Sequence, residues 1–243
     1  MANKDVPNSY SMFANVYSYM GLPLSRNVES ADVVVMGIPY DIGTTGRAGT
    51  RHGPQGVRLA SGNLRWEEKR WPWQFSVMDR LKVIDYGDLE FKPSESNSMI
   101  ETVIEHVGAV HAKGKKALCF GGDHFVTLPL LRAAHQHHGP VALVHFDAHT
   151  DTYTPEDDGA ENYDHGCMFY HAPKEGLIDP DHSIQVGIRT EYDTQSHLFE
   201  VVDAAAANDL SSADVVAAIK RRVGSMPVYL TFDIDCLDPA YAP

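Results

Sequence analysis

Three cysteines in 243 residues are too few and too scattered for a disulfide framework. Cys119, Cys167 and Cys236 are odd in number and share no Cys-x-x-Cys spacing. The first residues also lack the basic stretch and apolar core of a secretory leader, so a reducing, cytoplasmic home is expected. Long apolar runs are missing: none approaches the ~18 residues of a membrane span. Positive charge is scarce, with 20 Lys and Arg against 33 Asp and Glu and a net charge of -13, and no basic run offers a path for phosphates. Nucleic-acid and membrane partners are therefore not expected, whereas a small cation would be drawn in. The chain holds no internal repeat and no low-complexity tract.

What is present is enough apolar residue, 43%, to bury one sizeable core. Residues 1–30 mix polar and aromatic side chains (Tyr10, Phe13, Tyr17, Tyr19) without a period, and read as an extension packed on the main body or on a neighbouring subunit. Residues 31–243 read as one domain. There, short apolar runs end in Gly, Asp or His clusters: Val33 to Ile38, Leu81 to Ile84, Ala117 to Phe120, Val141 to Phe146, Ile184 to Ile188 and Val228 to Phe232. Such continuous runs suit strands buried on both faces of a parallel sheet. Between them lie helical patterns, one through Ile100, Val103, Ile104, Val107 and Val110, another from Ser211 to Val223 opened by a Ser211-x-x-Asp214 pair. The alternation predicts an α/β fold of three layers, α-β-α, around a mostly parallel sheet.

In open α/β sheets ligands bind beyond the carboxyl ends of the strands. Three of these ends carry metal-ligand residue types: Gly121-Gly122-Asp123-His124, Asp147-Ala148-His149-Thr150-Asp151, and Asp233-Ile234-Asp235 with Asp238-Pro239 after it. On an extended chain residues i and i+2 face one side, so Asp147 with His149, and Asp233 with Asp235, are expected to face one ion together. Four carboxylates gathered in an apolar sheet would repel one another unless cations neutralised them, and two divalent ions supply the four charges. Singly, an Asp-x-Asp or a Gly-Gly-Asp-His is an ordinary turn or strand end. Jointly, in order and each after a buried-strand pattern, they point to a binuclear metal site.

These three segments resemble the signatures of the ureohydrolase family, which includes arginases, agmatinases and guanidinobutyrases, and the likeness runs from about Asp32 to the last residue. It implies one Mn²⁺ held by His124, Asp147, Asp151 and Asp233, and a second held by Asp147, His149, Asp233 and Asp235. Thr45-Gly-Arg-Ala-Gly49, Arg51-His-Gly-Pro54, Phe125-Val-Thr-Leu-Pro129 and Tyr163-Asp-His-Gly166 look most like the bacterial agmatinases. The resemblance implies hydrolysis of agmatine to putrescine and urea by a metal-bridging hydroxide, with Asp151 passing a proton to the leaving nitrogen and His165 exchanging protons with solvent. It also implies a place in polyamine biosynthesis and a homo-oligomer, trimer or hexamer. Oxygen and imidazole donors suit Mn²⁺ without excluding Zn²⁺ or Co²⁺.

The family continues past the position of Pro243, so the chain is expected to lack C-terminal strands and a guanidinium-gripping glutamate. Rival readings are a hydrolase of guanidinobutyrate or arginine, and an inactive homologue acting by binding. His106, His111, His135, His137 and His138 read as structural or solvent-facing, and the cysteines as packing residues. Trp66, Trp71 and Trp73, among Arg65, Lys69 and Arg70, read as a packed loop or subunit contact.

Overall fold

The computed structural model describes residues 17–67, 69, 71–155 and 163–242. Tyr10, Phe13 and Arg70 thus lie outside the described residues. The chain forms two compact units, one of residues 1–42 with 46–123, the other of 43–45 with 124–243.

The first unit runs β1 (Val33–Ile38), α1 (Gly53–Ala60), β2 (Val83–Asp88), α2 (Ser96–Ala112) and β3 (Lys116–Gly121). Its sheet has the order β2-β1-β3, and both pairings are parallel. Strand β1 is central and buried, as an unbroken Val-Val-Val-Met-Gly-Ile run requires. Strand β2 departs from the expected Leu81 to Ile84: it starts at Val83 and continues through Asp85 to Asp88. A charged residue ends an apolar run on paper, but Asp85 is neutralised by the buried Arg58, whose Nε and Nη2 lie 2.8 and 2.9 Å from its carboxylate. Of the N-terminal extension, Tyr19 packs edge-on against Phe120, with ring centroids 4.9 Å apart, and donates its N–H to Asp85. A Cβ at Gly122 would stand 1.8 Å from the Tyr40 carbonyl oxygen, so the second glycine of Gly-Gly-Asp-His is a packing requirement. Trp71 and Trp73 are 89% and 59% exposed, which corrects the expectation of a packed loop at these two residues.

The second unit contains α3 (Thr127–His138), β4 (Ala142–Phe146), α4 (Met168–Lys174), β5 (Ile184–Ile188), β6 (Glu200–Asp203), α5 (Ala204–Asp209), α6 (Ser212–Val223) and β7 (Val228–Phe232). Its sheet has the order β6-β5-β4-β7, again parallel throughout. Helix α6 starts at a capping box in which the Ser211 hydroxyl accepts from the Asp214 N–H and the Asp214 carboxylate accepts from the Ser211 N–H. It ends at Gly224, whose φ of 59° closes the helix in the left-handed region. Val215, Ala218, Ile219 and Val223 of α6 pack on Ala142 and Val144 of β4 and Ile184 and Val186 of β5. Each buried Val or Ile contributes ~1.5 to 3 kcal/mol to holding these strands in register. Among the described residues no helix is long and apolar enough to cross a membrane.

Candidate metal centre

Parallel pairing sends all carboxyl ends of a sheet to one side. Phe146 of β4 and Phe232 of β7 are the last register partners, so the next residues, Asp147 and Asp233, leave the sheet side by side. The ladder guides them out: Asp233 N–H donates to the Phe146 carbonyl at 2.8 Å and Asp147 N–H to the Val186 carbonyl at 3.1 Å. On β5, Gly187 (φ 99°) passes so close that a Cβ would lie 3.1 Å from the Asp147 carbonyl oxygen.

The pairs Asp147/His149 and Asp233/Asp235 do share one side, but not by strand pleat as expected. The chain turns at each: His149 N–H donates to Asp147 Oδ1 at 2.7 Å, and Asp235 N–H to Asp233 Oδ1 at 3.0 Å. Each aspartate stops its strand by capping the residue two positions on, a local bond that competes with the ladder. Asp151 ends the segment with φ 52°, a left-handed conformation that costs on the order of 1 kcal/mol and that Asp tolerates better than most.

Two clusters of candidate ligands result, and they share Asp147. On one side His124 Nδ1 lies 3.0 Å from Asp147 Oδ2, 2.9 Å from Asp151 Oδ2 and 3.5 Å from Asp233 Oδ2. On the other, His149 Nδ1 lies 3.4 Å from Asp147 Oδ1 and 3.1 Å from Asp235 Oδ2. Thr231 takes the far nitrogen of His124 at 2.9 Å, which leaves Nδ1 facing the carboxylates. That Nδ1 is buried and makes no hydrogen bond of acceptable geometry despite three carboxylates nearby. Converging donors without mutual hydrogen bonds are what an interposed cation would satisfy. Six oxygen and imidazole side chains, with the nearby Cys236 thiol pushed up to about 11 by burial and hence protonated, fit two hard or borderline divalent ions.

Electrostatics agree. Burial alone would lower the His124 value, but Asp147 and Asp151 outweigh it and hold the ring well above the usual imidazole range. Burial would raise Asp147, but the nearby His124 ring and the hydrogen bond from His145 hold it below the usual carboxylate range. Asp235 is raised, first by burial and then by Asp233 and Asp147. Between protein groups alone, a proton on His124 does part of the work of a cation. The two groups differ in access: His124, Asp147 and Asp151 are buried, while His149 and Asp235 are 43% and 39% exposed toward a cavity of ≈310 Å³.

His165 lines that cavity with Thr45 and Tyr153. Its Nε2 lies 2.9 Å from the Thr45 hydroxyl and accepts the Thr45 N–H at 3.2 Å, so the neutral ring carries its proton on Nδ1. Asp164 Oδ1 fixes the loop by accepting the Gly166 N–H at 2.8 Å. His106 and His111 sit on α2, and His135, His137 and His138 on α3, none of them in this cluster. Cys167 is buried, its thiol pushed up to about 11 by burial, as a packing residue should be. A residue not anticipated is His145, one strand position inside the site, whose Nε2 lies 2.8 Å from Asp147 Oδ2. The available signal was a polar side chain inside an otherwise apolar buried run.

With this geometry in view, comparison with known proteins gives one answer. An agmatinase of Proteus mirabilis is 55% identical over 235 residues, covering 96% of this chain and 75% of that protein. The crystal structure of a hypothetical agmatinase from Burkholderia thailandensis superposes with a TM-score of 0.90 at 45% identity, covering 96% of this chain and 73% of that one. Proclavaminate amidino hydrolase from Streptomyces clavuligerus gives 0.86 at 37% identity, covering 96% and 78%. The arginase family model matches residues 31–243, and the chain belongs to the arginase family.

Proposed function

We propose that the chain is a metal-dependent amidinohydrolase that splits agmatine into putrescine and urea. The observation that carries the reading is the division of Asp147 between two histidine-bearing ligand groups. His124, Asp147, Asp151 and Asp233 would hold one Mn²⁺, and Asp147, His149, Asp233 and Asp235 the other. When bound, such a pair would supply Lewis acidity that lowers the pKa of a coordinated water toward ~7. The chain's own residues do the rest. The half-exposed His149 and Asp235 leave one side of the cluster open to the cavity, whose ≈310 Å³ is at the small end of ligand sites. The carboxylates there attract a guanidinium. Asp151, beside His124 and lining the same cavity, would take a proton from the attacking water and return it to the leaving nitrogen. His165, half-buried at the rim, would exchange a further proton between the site and bulk water. Agmatine is the first choice because the agmatinase of Proteus mirabilis is 55% identical. The likeness to proclavaminate amidino hydrolase favours a second reading, a different guanidino substrate on the same cluster. A soluble homo-oligomer of the cytoplasm, in polyamine biosynthesis, accords with both.

Urea release from agmatine, guanidinobutyrate and arginine, before and after chelator treatment, tests the reading. Release from agmatine alone that vanishes with chelator and returns with Mn²⁺ is expected. Release from another substrate in preference would move the assignment to that compound, and release that survives complete stripping would end the metal-dependent reading.

A pH prediction follows from His124. Its folded value is raised above the ordinary 6.5, so without metal its contribution to stability is full below that value and is lost as pH rises through the folded value. The stripped chain should therefore lose thermal stability as pH rises from 6.5 through the raised folded value. Metal binding displaces that proton, so the Mn²⁺-induced rise in Tm should grow over the same range. Melting curves of both forms across this range check it; a rise in Tm of the stripped chain would contradict the assignment of His124.

A further inference from the structure

His145 is fully buried on β4 and Gln185 fully buried on the neighbouring β5, in runs whose other members are apolar apart from Gly187. A polar side chain in such a place is costly unless its hydrogen bonds are met. Here they are met in a chain. Gln185 Nε2 lies 2.7 Å from the Thr150 carbonyl oxygen and 2.8 Å from His145 Nδ1. Gln185 Oε1 lies 2.8 Å from His197 Nε2, and His145 Nε2 lies 2.8 Å from Asp147 Oδ2.

The direction of each bond can be deduced. A carbonyl oxygen only accepts, so the atom of Gln185 facing Thr150 must be the amide nitrogen; flipped, the amide would set oxygen against oxygen at 2.7 Å. The second hydrogen of that nitrogen then points at His145 Nδ1, which must accept and so carries no proton. The ring proton sits on Nε2 and is donated to Asp147 Oδ2. The other end is pinned by His197, whose Nε2–H donates to Gln185 Oε1 and whose ring packs on Phe199 and Tyr192. Asp147 Oδ2 is also the oxygen that faces His124 Nδ1 at 3.0 Å.

By distance alone His145 could join His124, Asp147 and Asp151 around an ion. Resting on the two-metal reading above, we propose that His145 is not a ligand but a positioning residue: Gln185 fixes it as the Nε2–H tautomer, and it holds the carboxylate shared by both ligand groups in one orientation. Both ring nitrogens are already committed, and a ligand nitrogen must have its lone pair free. Gln185, through its bond to the Thr150 carbonyl, ties this orientation to the segment that carries His149 and Asp151.

The test has two independent readouts on the full chain. Long-range proton–nitrogen spectra of 15N-histidine-labelled wild type, loaded with diamagnetic Zn²⁺, should show one ring, missing in His145→Gln, with its proton on Nε2. Chelator competition with Mn²⁺ should find two ions in wild type, two ions bound ~10- to 100-fold more weakly in His145→Phe and Gln185→Glu, and near-wild-type affinity in His145→Gln, whose amide can still donate to Asp147. A bare Nε2 in the wild-type spectrum, or loss of one whole ion in His145→Phe without rescue in His145→Gln, would make His145 a ligand and overturn the proposal. Unchanged affinity in His145→Phe and Gln185→Glu would overturn it too, while leaving the two-metal reading in place. Wild type that takes up no Mn²⁺ overturns the two-metal reading and this role with it.

Discussion

Asp147→Asn should abolish metal-dependent activity while leaving the fold in place, with urea release from agmatine reduced by on the order of 10³-fold or more because the activated water is lost. The two oxygens of Asp147 are not interchangeable with one oxygen and one amide. Oδ2 faces His124 Nδ1 at 3.0 Å and accepts from His145 Nε2, while Oδ1 accepts the His149 N–H and faces His149 Nδ1 at 3.4 Å. If the amide nitrogen of Asn turns toward His145, donor meets donor; if it turns the other way, it meets the His149 N–H. Either orientation leaves one conflict, and the charge shared by the two ligand groups is gone. The check is a pair of melting curves. Wild type with Mn²⁺ at 100 times its Kd should gain ~2.7 kcal/mol by mass action. Asp147→Asn should gain almost nothing, and an undiminished Mn²⁺ shift would show that Asp147 is not shared between two ions.

The place of that aspartate was legible because the apolar run before it stops abruptly, and a parallel sheet gathers such stops on one side. Strands β1, β5 and β7 match their apolar runs in extent, but β7 is exposed at Val228, Leu230 and Phe232 and is not the strand buried on both faces that its run suggested; the Ser211–Asp214 box marked the start of α6. Legibility failed where a partner remote in sequence changes a residue's meaning. Asp85 extends β2 only because Arg58 neutralises it. Strand β6, Glu200–Asp203, is four residues at a sheet edge with charge at both ends, so it lacks the apolar signal of its neighbours. The i, i+2 rule brought the right pairs together for the wrong reason, since two aspartate-capped turns, and not pleated strand, carry His149 and Asp235. His145 and Gln185 lie within strands, whereas sites of this fold class are sought beyond strand ends; only their mutual hydrogen bond reveals them.

The second large effect belongs to the first unit. Arg58→Met should lower stability by ~3 to 5 kcal/mol, the range for removing one partner of a buried ion pair. Arg58 is 6% exposed and grips Asp85, itself fully buried, through Nε and Nη2, while Nη1 reaches Asp88. Met fills much of the volume but leaves the Asp85 carboxylate with only the N–H groups of Tyr19 and Gly87, at 2.7 and 2.9 Å. Burial acts to raise Asp85, and the Arg58 hydrogen bond reverses it, so the folded value lies below the ordinary 3.8. The pair's contribution is therefore full above 3.8 and is lost as pH falls through the folded value, and in Arg58→Met that acid dependence should shift upward in pH. Adding Asp85→Asn to Arg58→Met removes the unpaired charge and keeps an oxygen for one of the two N–H groups, so it should recover part of the loss. Denaturant titration of wild type, Arg58→Met and the double variant settles the matter: a single variant within ~1 kcal/mol of wild type would mean that Asp85 is solvated or protonated in the native state, and that the ion pair does not account for the extra length of β2.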